Sequence, residues 1–239
     1  MFNRVIVSVV GSSNSGKTTA VEHIVKGLTE KGYTVASAKR IPEPDFTLDT
    51  EGKDTYRHAK AGAKTVLSVA PDELGIIRKV NTKKLSLEQV ISEIPEETDV
   101  IILEGFKTLV GEDLSIPKVV GIKTATEMAE ALNRYKNILA FINHKAAQTI
   151  ETEFPVIDPM KDPQKLVDLV AKTVAVQVER KHKREQKITI QIEDEIVPLG
   201  DFVQDIVRNS VIAMVSSLKG AKIKGEEKVS IVIKRLKRG

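Results

Sequence analysis

The sequence predicts an α/β fold, in which a mostly parallel β-sheet is flanked by helices and followed by a small C-terminal α+β unit. Two observations support this prediction. Short runs rich in β-branched residues alternate with segments of helical periodicity, which is the pattern of successive βαβ units. Several of these runs are apolar at every position, as expected for parallel strands that are buried on both faces.

The predicted strands and helices alternate along the first part of the chain. The strands cover residues 5–10, 33–38, 65–69, 75–80, 100–104, 118–122 and 138–142. The helices cover residues 17–31, a segment that begins near Lys53, and residues 86–94 and 163–181. We expect these strands to form the parallel sheet of a first domain, residues 1–181.

The C-terminal part of the chain predicts a second, smaller domain at residues 187–239. A charged stretch at 179–187 is the candidate linker. Beyond it, residues 187–192 and 228–234 alternate in polarity, and a segment between them has helical periodicity up to Gly220. We interpret this pattern as a β-β-α-β unit. Because so small a unit buries little surface, we expect it to pack on the first domain or on a second subunit.

Composition narrows the classes of function. Hydrophobic residues make up 41% and charged residues 29% of the 239 residues, which is typical of a globular protein. The absence of cysteine excludes disulfides, thiolate metal sites and a cysteine nucleophile. No apolar stretch approaches the length of a membrane helix, so we expect a cytoplasmic protein. The net charge of +4 suits a small anionic ligand, whereas 4% aromatic residues are few for a nucleic-acid surface.

A phosphate-binding motif follows the first predicted strand. Residues 11–18 fit the pattern G-x-x-x-x-G-K-[ST] and open a predicted helix, so we expect a P-loop NTPase that binds a purine triphosphate. Lys17 would reach the β- and γ-phosphates, the Thr18 hydroxyl would bind Mg²⁺, and Thr19 would support the α-phosphate. The predicted phosphate-binding residues are Gly11, Ser12, Ser13, Asn14, Ser15, Gly16, Lys17, Thr18 and Thr19.

A second magnesium ligand is expected at the end of another strand. Asp99 precedes the strand at 100–104 and Glu104 ends it, so their carboxylates lie roughly 16 Å apart in an extended chain. Because ligands of open α/β sheets bind at the carboxyl ends of strands, we assign the metal site to Glu104. Asp99 is expected to be an ordinary residue at the strand entry. Lys107 would place a further cation near the site.

The polar segment 39–63 is longer than a simple connection, which indicates a functional loop. Lys39 and Arg40 follow the second strand at the edge that carries the P-loop, where they could contact phosphates or remain solvated. Asp45 and Asp49 could orient an attacking water or bind a second metal, or could cap a turn.

The helix that begins near Lys53 carries several charged side chains. Asp54 lies near its N-terminus, where a carboxylate interacts favourably with the helix dipole and could simply cap the helix. Lys53, Arg57, His58 and Lys60 form a basic face that could contact phosphates, although such faces are more often only solvated.

Three motifs together resemble the molybdopterin-guanine dinucleotide biosynthesis protein B (MobB) family. They are GSSNSGKTT at 11–19, GKDTYRHAKAGA at 52–63 and DVIILEGFK at 99–107, and the resemblance covers about residues 1–125. It implies a dimeric P-loop protein that binds GTP, hydrolyses it weakly and assists the guanylyltransferase that attaches guanosine monophosphate to molybdopterin. It also implies that the segment from Asp49 through Arg57 belongs to the active-site region.

The predicted residue roles follow from the motifs and the resemblance together. The predicted catalytic residues are Lys17, Asp49 and Glu104, and the predicted metal ligands are Thr18 and Glu104. The predicted contacts to the nucleotide or to the molybdopterin phosphate outside the P-loop are Lys39, Lys53, Asp54 and Arg57.

The residues leave other functions open. The same loop would serve a small-molecule kinase with the basic helix as its lid, or a nonenzymatic regulator that uses nucleotide to switch a partner interface. The preference for GTP over ATP is also open, because no intact N-K-x-D motif is present. Asn143, His144 and Lys145 resemble that motif poorly, and we expect a surface turn there.

Overall fold

The computed structural model describes residues 4–143, 152–185, 190–192, 195–197 and 199–218. The chain forms two compact units, Met1–Lys181 and His182–Gly239. No helix in the described part of the chain is both long enough and apolar enough to cross a bilayer.

The first unit alternates strands and helices. Its strands are β1 (Val5–Gly11), β2 (Val35–Lys39), β3 (Thr65–Val69), β4 (Leu74–Arg78), β5 (Val100–Glu104), β6 (Lys118–Gly121), β7 (Ile138–Ile142) and β8 (Val156–Ile157). The helices that begin in it are α1 (Lys17–Glu30), α2 (Asp54–Lys60), α3 (Leu87–Ile91), α4 (Lys107–Val110), α5 (Ala125–Arg134) and α6 (Pro163–Glu185), with a 3₁₀ turn at Thr82–Lys84.

A six-stranded sheet in the order β2-β5-β1-β6-β7-β8 forms the centre of this unit. Every neighbouring pair in it is parallel. A hydrophobic core lies on each face of the sheet, and successive residues of β1 point into these two cores in turn. Val5, Val7 and Val9 pack with α1 and α6, whereas Ile6 and Val10 pack with α3, α4 and α5. The prediction of an α/β fold with a parallel sheet flanked by helices is therefore confirmed.

Two predicted strands do not belong to the parallel sheet. β3 and β4 pair antiparallel, from Thr65 opposite Arg78 to Val69 opposite Leu74, and form a separate two-stranded sheet. The prediction that they join the parallel sheet was wrong, because the short turn between them cannot carry the crossover that parallel neighbours require. One face of this hairpin is apolar and exposed; its side chains are Leu67, Val69, Leu74 and Ile76.

The predicted linker is largely helical. Helix α6 does not end at 181 but runs on to Glu185, through most of the charged stretch 179–187. Lys, Arg and Glu are strong helix formers, so a high density of charge does not by itself end a helix. In the second unit, β9 (Ile190–Ile192) and β10 (Glu195–Val197) form an antiparallel hairpin.

The second unit continues with α7 (Asp201–Ser216), which ends before the predicted stop at Gly220. The last strand of the predicted β-β-α-β unit, at 228–234, lies outside the described residues.

A buried lysine fixes the turn that leads into β6. The side chain of Lys118 has no solvent exposure, and its ammonium donates hydrogen bonds to the backbone carbonyls of Asp113 and Ile116, both at 2.7 Å. Burial lowers the pKa of Lys118 to about 8, against the opposing effect of the Asp113 carboxylate.

The stability of the protein should therefore depend on Lys118 at alkaline pH. Its pKa is about 8 in the folded chain against an ordinary value of 10.5, so between these values the unfolded state binds more protons. The folded state carries the full cost of burying the ammonium at a pH below the folded pKa, and none of it at a pH above the ordinary pKa. The free energy of unfolding therefore rises between these two pKa values, by up to about 3 kcal/mol. Urea denaturation of the unaltered protein and of Lys118→Met, at about pH 7 and about pH 10, should show this rise only in the unaltered protein. Equal pH dependence in both proteins would contradict the assignment.

Candidate functional site

The loop between β1 and α1 depends on the conformation of its glycines. Gly11 has φ 125° and Gly16 has φ 87°, in the left-handed region that favours glycine, and Asn14 at φ 57° is of a residue type that tolerates it. A Cβ at Gly11 would also overlap the backbone carbonyl of Gly121 on β6. Ser13 and Asn14 are exposed at the tip of the loop.

Two side chains donate hydrogen bonds to the same backbone carbonyl inside this loop. The Lys17 ammonium and the hydroxyl of the buried Ser15 both donate to the backbone carbonyl of Ser12, the latter at 2.9 Å. Gly121 leaves the space for this arrangement, because a Cβ there would overlap Ser15. The sequence contains a signal for this contact, because a glycine inside a strand often marks a close approach of another backbone.

Helix α1 presents its N-terminus to the loop. Lys17 is its first residue, and Thr18 and Thr19 complete the beginning of its first turn. Gly16 provides no side-chain cap, and no acidic residue lies in the first turn. The N–H groups and the positive end of the helix dipole are therefore not neutralised by the helix's own side chains, which favours an anion at this point.

Three side chains meet beside the start of α1. The Thr18 hydroxyl donates to Glu104 Oε1 at 3.0 Å, and the Lys39 ammonium lies 3.1 Å from the same Glu104 oxygen and 3.4 Å from Thr18 Oγ1. Lys39 and Glu104 are register partners that end β2 and β5, so the sheet holds them side by side. Asp99 lies at the other end of β5, where its carboxylate accepts a hydrogen bond from Thr34 N at 2.8 Å.

The electrostatics around Lys17 also favour an anion. Burial lowers the pKa of Lys17; the Glu104 carboxylate opposes this effect, and the ammonium groups of Lys107, Lys39 and Lys123 add to it. Several ammonium groups close to one another carry a positive potential, which a polyanion would relieve.

Glu127 and Lys123 are site residues that the sequence analysis missed. Glu127 Oε2 accepts hydrogen bonds from Ser12 Oγ at 2.9 Å and from Lys123 N at 2.7 Å, and Lys123 Nζ lies 3.7 Å from Glu127 Oε1. Thr124 caps α5 by accepting from Glu127 N, and this T-x-x-E spacing is visible in the sequence. It predicts a helix start, but nothing in it predicts the contact with Ser12, which the neighbouring strands β1 and β6 create.

No hydrogen bond or ion pair among the described residues joins the predicted residues of the 49–57 segment to the loop. Asp49 Oδ1 accepts from Thr55 Oγ1 at 2.8 Å, and its Oδ2 is buried without a hydrogen-bond partner among the described residues. Asp54 begins α2, and its Oδ1 lies 3.4 Å from the Arg57 guanidinium. Lys53 is exposed.

The segment that follows β2 forms an open cleft of about 430 Å³ next to Lys39. It combines two cations and a carboxylate with apolar side chains; its lining residues are Lys39, Arg40, Ile41, Pro42, Glu43 and Phe46.

The end of β7 differs from the expectation of a surface turn. Asn143 follows β7 directly, its backbone N–H donates to Ile157 O at 3.1 Å, and only 4% of the residue is exposed. The expectation was wrong for Asn143, because the neighbouring strand β8 covers it. His144 and Lys145 lie outside the described residues.

The chain is similar in sequence to curated proteins and similar in fold to solved structures. The chain is 29% identical over 241 residues to a protein of Methanocaldococcus jannaschii described as a molybdopterin-guanine dinucleotide biosynthesis adapter protein, with 97% of this chain and 99% of that protein covered. It is 36% identical over 163 residues to a Bacillus subtilis protein of the same description, with 66% of this chain and 87% of that protein covered.

The structure of Bacillus subtilis MobB superposes with a TM-score of 0.55 at 29% identity, over 70% of this chain and 96% of that one. A further structure of molybdopterin-guanine biosynthesis protein B shares the fold, with a TM-score of 0.54 at 23% identity over 72% of this chain and 99% of that one. The family model described as molybdopterin guanine dinucleotide synthesis protein B matches residues 6–144, which contain the whole cluster around Lys17. The chain therefore belongs to the MobB family, whose members take part in the biosynthesis of molybdopterin guanine dinucleotide.

Proposed function

We propose that this chain is a cytoplasmic GTP-binding adapter that hydrolyses GTP slowly and assists the enzyme that attaches guanosine monophosphate to molybdopterin. The observation that carries the proposal is the convergence of Lys17, Thr18, Lys39 and Glu104 at the mouth of the 11–18 loop. The family of the chain supports the pathway, and the geometry of this cluster supports the ligand.

A polyphosphate tail is the anion that suits this cluster best. The uncapped first turn of α1 provides N–H donors, Lys17 lies at its start, and Lys39, Lys107 and Lys123 are close enough to affect the pKa of Lys17. The N–H donors and the lysine at the helix start are the groups that P-loop proteins use to hold the β- and γ-phosphates. Charge spread over several phosphate oxygens would balance several ammonium groups at once.

The oxygen atoms beside Lys17 fit a magnesium ion. Thr18 Oγ1 and Glu104 Oε1 are 3.0 Å apart, which equals the edge of an octahedron whose oxygen ligands lie about 2.1 Å from Mg²⁺. Thr18 and Glu104 would hold the ion, with phosphate oxygens and waters as its other ligands. When bound, the ion would neutralise charge on the β- and γ-phosphates.

The chain's own residues would contribute mainly position and charge. Lys17 would donate hydrogen bonds to the transferring phosphoryl group, where charge develops in the transition state. We assign Asp49 the role of accepting a proton or hydrogen bond from the attacking water, because its Oδ2 has no partner within the described residues. Lys53, Asp54 and Arg57 belong to the same segment, and we propose that they contact the nucleotide.

The cleft next to Lys39 is the proposed place of the second ligand. Arg40 would bind the phosphate of molybdopterin, and the apolar side chains of Pro42 and Phe46 would pack against its ring system. A cleft that shares Lys39 with the nucleotide site would bring the two ligands near each other.

Lys17→Ala should abolish tight nucleotide binding. The loss of a cation that donates several charge-assisted hydrogen bonds to phosphates should weaken GTP binding by about 100-fold or more. Isothermal titration calorimetry with GTP and Mg²⁺ measures the effect. Lys26→Ala is the matched control, because Lys26 lies on the same helix with a side chain that is 75% exposed and pairs only with Glu30 among the described residues. Unchanged affinity in Lys17→Ala would refute the nucleotide-binding proposal.

The same titration with GTP and with ATP, in the presence and absence of Mg²⁺, tests the assigned nucleotide. We expect GTP to bind at least about tenfold more tightly than ATP, since a site that hydrogen-bonds the correct base rejects its analogue by leaving polar groups unpaired. Equal affinities would restrict the proposal to an adapter that binds purine triphosphates without preference.

We also propose that the protein is a homodimer that associates through the apolar face of the β3–β4 hairpin. Leu67 is paired with Ile76 and Val69 with Leu74, and these side chains are between 53% and 81% exposed. An isolated two-stranded sheet is at best marginally stable in water, so a second copy on this face would stabilise the hairpin as well as the dimer.

Leu67→Lys should convert the dimer into a monomer, because it places a charge in the centre of this face. Size-exclusion chromatography with light scattering measures the mass. Leu114→Lys is the control, since Leu114 is 72% exposed on a different segment and should leave the dimer intact. A monomeric unaltered protein, or a dimeric Leu67→Lys variant, would show that the hairpin is not the interface.

A further inference from the structure

The ammonium of Lys39 contacts the same two oxygen atoms that would hold magnesium. It lies 3.1 Å from Glu104 Oε1 and 3.4 Å from Thr18 Oγ1, and these oxygens are 3.0 Å from each other. The three atoms form a closed triangle, so the lysine provides a positive charge at the point where the metal would provide one.

The fold holds this triangle in place. Lys39 and Glu104 are register partners on β2 and β5, and the backbone N–H of Arg40 donates to Glu104 O at 2.9 Å just beyond them. The Glu104 side chain is only 10% exposed. A carboxylate that is nearly buried requires a compensating charge, and Lys39 is its ion-pair partner within the described chain.

Lys39 differs from Glu104 in its freedom to move. Its side chain is 53% exposed and ends in a compact ammonium on a flexible stem, and it also lines the open cleft that follows β2. It can therefore leave the two oxygens without disturbing the core, and negatively charged phosphates beside Lys17 would give it a new partner.

We infer that Lys39 is an internal counter-cation, which neutralises Glu104 while the site is empty and is displaced by Mg²⁺ toward the phosphates when the metal–nucleotide complex binds. The inference rests on the proposed nucleotide-binding function and adds to it an exchange of cations at Glu104. Without the metal, Lys39 keeps the Glu104 carboxylate from repelling the phosphates. With the metal, the two cations occupy different positions.

The test is the magnesium dependence of nucleotide affinity. Titration calorimetry with the nonhydrolysable analogue GMPPNP, in EDTA and in saturating Mg²⁺, gives two dissociation constants for each protein. Their ratio is the dissociation constant in EDTA divided by the dissociation constant in Mg²⁺. In Lys39→Met the affinity in EDTA should fall about tenfold, because the Glu104 carboxylate then lacks its counter-cation and repels the phosphates. In saturating Mg²⁺ the fall should be less than about threefold. The variant loses the contact of Lys39 with the phosphates, but the metal neutralises Glu104 and no longer has to displace an ammonium.

Two variants separate this role from a general effect of charge. Lys107→Met removes another cation that affects the pKa of Lys17. Among the described residues, Lys107 forms no hydrogen bond or ion pair with Glu104 or Thr18. This variant should weaken binding in both conditions by the same factor, which leaves the ratio of the two constants unchanged. Lys39→Arg retains the charge and should restore the ratio of the unaltered protein. Thermal unfolding of each variant verifies that it is folded.

The outcomes are distinct for the two proposals. If the unaltered protein binds no GMPPNP in either condition, the proposed function and this inference are both refuted. If it binds and Lys39→Met leaves the ratio of the two constants unchanged, Lys39 is only a phosphate ligand or a structural ion pair, and this inference alone is refuted. A ratio that rises in Lys39→Met, and in neither Lys39→Arg nor Lys107→Met, supports the exchange of cations.

Discussion

The parallel register of β2, β5 and β1 is the constraint on which the site depends. In a parallel sheet all strands end at the same edge, and here Lys39 is opposite Glu104, which is opposite Val9, two residues before Gly11. Residues far apart in the chain are therefore brought together by hydrogen bonds of the main chain. The side chains add charge to a geometry that the backbone has already fixed.

The charges at this edge of the sheet partly balance one another. Its cations are Lys17, Lys39, Lys107 and Lys123, and its carboxylates are Glu104 and Glu127. Each carboxylate contacts a lysine and a hydroxyl of the loop or of α1. The lysines are in excess, however, and this excess favours a polyanion over a neutral ligand.

The sequence predicts those parts of the protein in which local pattern and topology agree. The glycine-flanked loop and the choice of Glu104 over Asp99 needed only a motif and the rule that ligands bind at strand ends. The hairpin of β3 and β4 was not predicted, because apolar runs have the same appearance in parallel and antiparallel strands and only the short turn distinguishes them. The contacts of Gly121 and Glu127 with the loop depend on the order of β1 and β6 in the sheet, which residue patterns do not encode.

The cluster around Lys17 and the similarities to known proteins extend over different parts of the chain. Every contact of the cluster around Lys17 lies between Gly11 and Glu127, within the family match at 6–144. The Bacillus subtilis MobB structure is 96% covered by this chain yet covers only 70% of it, so a large part of this chain has no counterpart there. The similarity to the Methanocaldococcus jannaschii protein extends over 97% of this chain and includes the second unit. The hydrogen bonds and ion pairs of the cluster around Lys17 are all made by residues of the first unit.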